Sequence, residues 1–188
     1  LKIQKMALGK GMTLKDASSF NIQFYKGRPT LIDTLSFEKY QNGEPWVGYK
    51  QFCQHFLAPL TLILYKDPEF IRFQRIYMDG IPLNLTSKLL SKKTWLDIGL
   101  LTHIHLHAKS QSYYSSKKLV KKKITERGLY AIIDNLEKTT ESLNWKPKLL
   151  EAHWYEVQKN CEKHSRYIPA HIKRAALANS NNHCSYPN

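Results

Sequence analysis

Cysteine is scarce in this sequence, and its three copies lie far apart: Cys53, Cys161 and Cys184 in 188 residues. That number and spacing exclude a disulfide-stapled scaffold and the paired-cysteine zinc motifs, and they make a reduced, cytoplasmic setting the default expectation. Long apolar runs are missing too. The longest, from Phe56 to Tyr65, is interrupted by Pro59 and falls far short of the ~20 residues a membrane-spanning helix needs, so no transmembrane segment is expected. No secretory leader is visible, because the first residues alternate lysine with apolar groups. Glycine occurs eight times, as isolated residues, so no glycine-rich loop for phosphate or nucleotide stands out. Acidic residues are few, 15 against 29 Lys and Arg, for a formal net charge of +14. The resulting isoelectric point near 9.7 suits contact with phosphate, nucleic acid or an anionic surface.

What remains is ordinary globular material. A content of 42% hydrophobic and 12% aromatic residues supplies a real core and excludes a wholly disordered chain. The length suits one domain or two small ones. The chain opens at Leu1 in mid-pattern, and a fragment of a longer protein is expected. Leu1, Ile3, Met6, Ala7 and Leu8 keep helical spacing up to Gly9 and Gly11. Asn21–Tyr25 and Thr30–Asp33 then read as two strands around Lys26-Gly27-Arg28-Pro29, a β-hairpin.

Beyond the hairpin the pattern is helical. Trp46, Tyr49, Phe52, Cys53, Phe56, Leu57 and Leu60 mark one buried face, with Cys53 a buried structural thiol rather than a nucleophile. Asp67-Pro68-Glu69 opens a helix with Asp67 as its cap, running through Ile71, Phe73 and Ile76 to a stop at Asp79-Gly80. Asn84 caps a short helix, a longer one covers Leu96 to Ser112, and another runs from Thr125 to Leu143 with Leu129, Ile132, Ile133 and Leu136 inward. After Trp145-Lys146-Pro147 the pattern weakens, and Ala178 to Asn188, rich in Asn and Ser, reads as a disordered tail. The expected architecture is therefore α+β and mainly helical. Residues 1–145 form a domain with a short N-terminal hairpin packed on a helical cluster, and residues 146–188 form a helical extension and tail.

Three groups of residues could carry chemistry. The first is Asp16, Asn21 and Asp33. A phosphotransferase needs a carboxylate to orient or accept the proton of an attacking hydroxyl, and an amide oxygen and a second carboxylate to hold magnesium on phosphates. A hairpin folding back on itself brings Asn21 and Asp33 together at its open end. The alternative is that Asp16 and Asn21 cap loops and Asp33 ends a strand. The second group is His103, His105 and His107: on a strand all three share a side, and on a helix only His103 and His107 do. The flanking Leu100, Leu101, Ile104 and Leu106 favour a helix and partly buried, hydrogen-bonded rings over a metal site. The third is Lys117, Lys118, Lys121, Lys122 and Lys123, preceded by Tyr113 and Tyr114. It suits nucleic acid or an anionic surface, or is a solvated linker.

Two resemblances extend this reading. Asp16-Ala17-Ser18-Ser19-Phe20-Asn21, a strand, a turn, a strand and Ile32-Asp33 resemble the catalytic and metal loops of protein kinases and aminoglycoside-phosphotransferase-like kinases, over about residues 1–65. Leu14 stands where those kinases have His, and Thr34-Leu35 where they have Phe-Gly. The resemblance implies part of a kinase C-lobe, with Asp16 as catalytic base, Asn21 and Asp33 on magnesium, and Mg-ATP as cofactor. A wider likeness covers roughly residues 1–150. Gly11-Met12-Thr13-Leu14-Lys15-Asp16-Ala17-Ser18, Leu31-Ile32-Asp33-Thr34-Leu35-Ser36-Phe37-Glu38, Pro45-Trp46-Val47-Gly48-Tyr49, Gln51 to Leu60, Asp79-Gly80-Ile81-Pro82-Leu83 and His103 to Ala108 are similar to the N-terminal region of class I SAM-dependent methyltransferases related to nodulation proteins. That likeness implies an accessory segment whose partner is a downstream methyltransferase domain. SAM would bind there and not within this chain, and the acceptor would be a small molecule or saccharide-like.

Overall fold

The computed structural model describes residues 1–114 and 123–143, with side chains from Ser112 to Tyr114 left aside. They belong to one unit, Leu1–Asn144. The expected extension and tail over 146–188, and Lys117, Lys118, Lys121 and Lys122 of the basic run, lie outside the described residues.

The architecture is mainly helical, with a short antiparallel hairpin near the N-terminus followed by a helical cluster, as the sequence pattern predicts. Helix α1, Lys2–Leu8, ends at Gly9. Strand β1, Met12–Leu14, comes directly after and is held to α1 by a buried glutamine. Gln4 Nε2 donates to Thr13 Oγ1 at 3.0 Å, and Leu14 N donates to Gln4 Oε1 at 2.7 Å. The hairpin is β2, Ile22–Tyr25, and β3, Arg28–Leu31, paired Ile22 to Leu31 and Tyr25 to Arg28. Its two-residue turn has Lys26 at φ 50° and Gly27 at φ 73°. Two positive φ angles give the tight turn whose twist matches the flanking strands, and glycine takes the second at no steric cost. Strand β4, Phe37–Lys39, returns to pair with β1, Leu14 opposite Phe37. Sequence patterning did not reveal this second pair: three-residue strands are too short for a periodic signal.

The helical cluster starts later than the aromatic spacing suggests, at α2, Tyr49–Phe52. Trp46 stays outside it, buried, its Nε1 donating to Leu14 O at 2.6 Å. Helix α2 runs through a π turn, Cys53–Leu57, into α3, Ala58–Tyr65. In the π turn Ala58 N donates to Cys53 O, which leaves the carbonyl of Gln54 without its helical donor. Pro59 has no N–H for the carbonyl of His55. Both freed carbonyls are taken by a neighbouring segment: Ile81 N reaches Gln54 O at 3.0 Å, and Gln74 Nε2 reaches His55 O at 3.1 Å. The proline and the π turn thus create the acceptors that dock residues 74–81.

Asp67 caps as expected, accepting from Glu69 N at 2.8 Å. The chain then forms a 3₁₀ segment, Pro68–Arg72, and one turn of helix, α4, Phe73–Ile76, with Ile71 and Ile76 exposed. Helix α5 is Leu83–Leu89. Helix α6, Ile98–Leu100, passes through a second π turn, Leu101–Leu106, into α7, His107–Tyr114. Helix α8, Glu126–Ser142, is capped by Thr125 Oγ1, which accepts from Gly128 N. It buries Leu129, Ile133 and Leu136. Ile132, expected inward, is instead 36% exposed. The core joins Leu57, Leu62, Leu83, Leu100, Ile104 and the α8 stripe, with Cys53 fully buried among them.

Candidate functional site

The loop from Lys15 to Asn21 enters the hairpin, and the loop from Asp33 to Ser36 leaves it. Both close on one residue, Ser36, which is buried. Its carbonyl accepts from Lys15 N at 2.8 Å and from Asp16 N at 3.4 Å. Its hydroxyl donates to Asp33 Oδ2 at 2.7 Å and accepts from Asn21 Nδ2 at 3.0 Å. Asn21 and Asp33 are therefore tied together through a single oxygen. Ile32 N on Asn21 O, at 2.9 Å, carries the hairpin pairing to its root. Asp33 Oδ1 also accepts from Leu35 N at 2.9 Å. The Ser36 hydroxyl first, then the Leu35 amide and the nearby Lys15 charge, hold the Asp33 carboxyl below its ordinary pKa, so it is ionised at neutral pH. The Ser36 proton is committed to Asp33, so the hydroxyl offers Asn21 only a lone pair. The Asn21 amide must present Nδ2 inward, and its Oδ1 is left for another partner.

Asp16 is held from a different side. Its Oδ1 accepts from Ser18 N at 3.0 Å and from Gln51 Nε2 at 2.8 Å, while Gln51 Oε1 takes Ala17 N at 2.7 Å. Gln51, on α2, thus fixes both the loop backbone and the carboxylate, and Asp16 Oδ2 is the oxygen not engaged by these bonds. The same loop rests on His55, whose Nδ1 faces Ser19 Oγ at 3.3 Å and Ser19 N at 3.5 Å. Phe20 meets the imidazole edge-on. Burial lowers the His55 pKa against the opposing pull of Asp16 and of the Asp79 carbonyl and charge. Neutral His55 accepts from the serine, as the geometry requires. Sequence reasoning missed Ser36, Gln51 and His55 as partners of this group. Serine and glutamine carry no spacing signature; Ser36 is three residues from Asp33 but 15 from Asn21, and Gln51 and His55 are 35 and 36 residues from their mates.

An amide oxygen and an ionised carboxylate are hard donors of the kind magnesium takes beside phosphate oxygens. Asn21 Oδ1 and the Asp33 carboxylate fit that description. Among the described residues no group of three His, Cys, Asp or Glu is placed to hold a metal ion. The described residues do not fit SAM: the strands among them form antiparallel pairs, and no glycine-rich turn leads from a strand into a helix.

The histidines after α6 have separate partners. His103 lies between the Tyr49 hydroxyl, 2.7 Å from Nδ1, and Asn135 Oδ1, 2.8 Å from Nε2. His105 lies between Ser87 Oγ at 2.8 Å and Thr94 Oγ1 at 2.9 Å, with Trp95 stacked on its ring. His107 stacks on Tyr49, and its Nε2 lies 3.0 Å from Gln111 Nε2. Burial lowers all three pKa values, that of His107 to about 4. Burial likewise raises the Tyr49 hydroxyl well above its ordinary range and the Cys53 thiol to about 12. Such a thiol is no nucleophile at neutral pH. These rings build the interior of the helical cluster.

The chain is 41% identical over 117 residues to the nodulation protein NoeA of Rhizobium meliloti (strain 1021). The match covers 62% of this chain and 25% of that relative, so the chain spans about a quarter of its length. No family model matches the chain, and no solved structure matches it.

Proposed function

We propose that this chain is the N-terminal accessory segment of a larger SAM-dependent methyltransferase and leaves SAM binding to a downstream domain. The observation that carries the reading is the 41% identity to a nodulation protein four times as long as the matched region, joined to the methyltransferase-like words along residues 1–150. In that division of labour this segment meets a small-molecule or saccharide-like acceptor or holds the catalytic domain in the cytoplasm. Calorimetry on the longer protein and on this chain tests it. The longer protein should bind SAM while this chain alone does not. SAM binding by this chain, or its absence in the longer protein, refutes the reading.

A second reading is favoured by the meeting of the Asn21 and Asp33 side chains on Ser36, with the backbone of Asp16 on the same residue. It is a kinase-like phosphotransfer site, on a fold like part of a kinase C-lobe. The order Asp16, Asn21, strand, turn, strand, Asp33 along the chain supports this reading. Asp16 Oδ2 would accept the proton of an attacking hydroxyl. Asn21 Oδ1 and Asp33 would hold magnesium, which supplies charge neutralisation on the phosphates of ATP. Gln51 holds Asp16 through Oδ1, and Ser36 holds Asn21 through Nδ2 and Asp33 through Oδ2. This reading requires magnesium-dependent ATP binding that disappears in Asp33→Ala, and an Asp33→Ala protein that binds unchanged rules it out.

A further inference from the structure

The β2–β3 hairpin has two unlike faces. Side chains alternate along each strand, so the pairing of Ile22 with Leu31 and Phe24 with Pro29 makes one face apolar. Gln23 with Thr30 and Tyr25 with Arg28 make the other polar. Only the root of the apolar face reaches the body of the protein, where Ile22 and Leu31 are half-buried. Its outer half is uncovered, with Phe24 78% exposed, and at the tip Tyr25, on the opposite face, is 65% exposed. Phe20, Ile32 and Leu35 stand exposed near the root, Leu35 at 80%. The charge at the tip of the hairpin has one sign. Lys26 lies 5.3 Å above the Tyr25 ring, Arg28 comes two residues later, and Lys15 precedes. Between Asp16 and Asp33 the sequence has no acidic residue, and both of those carboxylates sit at the root, away from the tip.

We propose that this hairpin is a membrane-contact element, its Phe24–Tyr25 tip entering the interface of an anionic lipid surface while Lys26 and Arg28 meet the headgroups. Amphipathic rings sit at the level of lipid headgroups, and clustered Lys and Arg draw a protein to anionic lipid. A net charge of +14 adds long-range attraction. Nucleic acid fits less well. Its bases stack on open aromatic faces, whereas here Lys26 lies over one face of the Tyr25 ring and the exposed Phe20 and Phe24 rings are accompanied by aliphatic Ile32 and Leu35. The inference is independent of the methyltransferase and phosphotransfer readings.

Co-sedimentation of the chain with vesicles tests it, comparing phosphatidylcholine alone with phosphatidylcholine containing one-third phosphatidylglycerol. The chain should bind the anionic vesicles and leave the neutral ones. Phe24→Ser and the pair Lys26→Glu and Arg28→Glu should each lower binding ~10-fold or more while leaving the thermal melt unchanged, since these side chains are exposed. No binding overturns the proposal. So does binding that these substitutions leave intact, which would assign it to Lys117–Lys123. Loss of oligonucleotide rather than vesicle binding in the same variants overturns it in favour of nucleic acid. Failure of the longer protein to bind where this chain does overturns it in favour of a face covered by the rest of that protein.

Discussion

Replacing Gly80 by alanine tests the docking of residues 74–81 on the π turn, and so the seating of His55. Gly80 has φ 89°, and an added Cβ would stand 2.6 Å from Gln54 Cβ and 2.8 Å from His55 Cδ2. Two costs combine. A left-handed conformation costs a non-glycine residue about 1–2 kcal/mol, and forcing a methyl into packed atoms costs about 1–3 kcal/mol more. Gly27 separates them, because its φ is 73° and nothing lies within 4 Å of its Cβ position. Gly27→Ala should therefore lose only the conformational part, and Gly80→Ala about 2–5 kcal/mol. Urea denaturation followed by circular dichroism measures both midpoints, with an unchanged slope required for comparison. A Gly80→Ala midpoint equal to that of Gly27→Ala would refute the close approach of residues 79–81 to His55.

Other perturbations probe the same geometry. Ser36→Ala removes the hydrogen bond that holds the Asp33 carboxyl down, so its pKa should rise toward the ordinary carboxylate value in a carboxyl NMR titration; an unmoved pKa would remove Ser36 from its central place. Gln4→Leu strands Leu14 N and Thr13 Oγ1 in a buried setting and should cost about 2–4 kcal/mol in a urea titration, with a cost near zero contradicting the clamp. Acid should destabilise the fold through its buried histidines. Their folded pKa values lie below the ordinary 6.5, so the unfolded chain binds more protons and stability is full above 6.5. For His107 the loss continues down to about pH 4, for up to about 3 kcal/mol at 1.36 kcal/mol per unit. The His107→Phe protein should melt with a shallower dependence on pH over that window, and an identical slope would count against a buried neutral ring.

Local patterns in the sequence determined the elements whose signal is short-range. The glycine-bearing Lys26-Gly27-Arg28-Pro29 stretch between apolar runs reads as a hairpin, and the structure tightens the turn to Lys26-Gly27, with Arg28 and Pro29 in β3. Leu129, Ile133 and Leu136 fix the buried stripe of α8 because a helix repeats every 3.6 residues. The spacing of Asn21 and Asp33 around the hairpin likewise implied that they meet at its root, since the strands between them are of equal length. The tertiary structure alone decided the rest. Ser36 became the hub of the loops only because β4 returns to β1, a pairing of two three-residue strands joined by neither propensity nor period. Gln51 and His55 meet the Asp16 loop across about 35 residues of chain, and the π turn before Pro59 frees carbonyls that a different distant segment, residues 74–81, takes up. The three histidines separated onto Tyr49, Ser87, Thr94 and Asn135 because the second π turn and the packing of α5 and α8 assign each ring a different neighbour. Long-range hydrogen bonds of this kind depend on how elements stack, and no window of neighbouring residues encodes that.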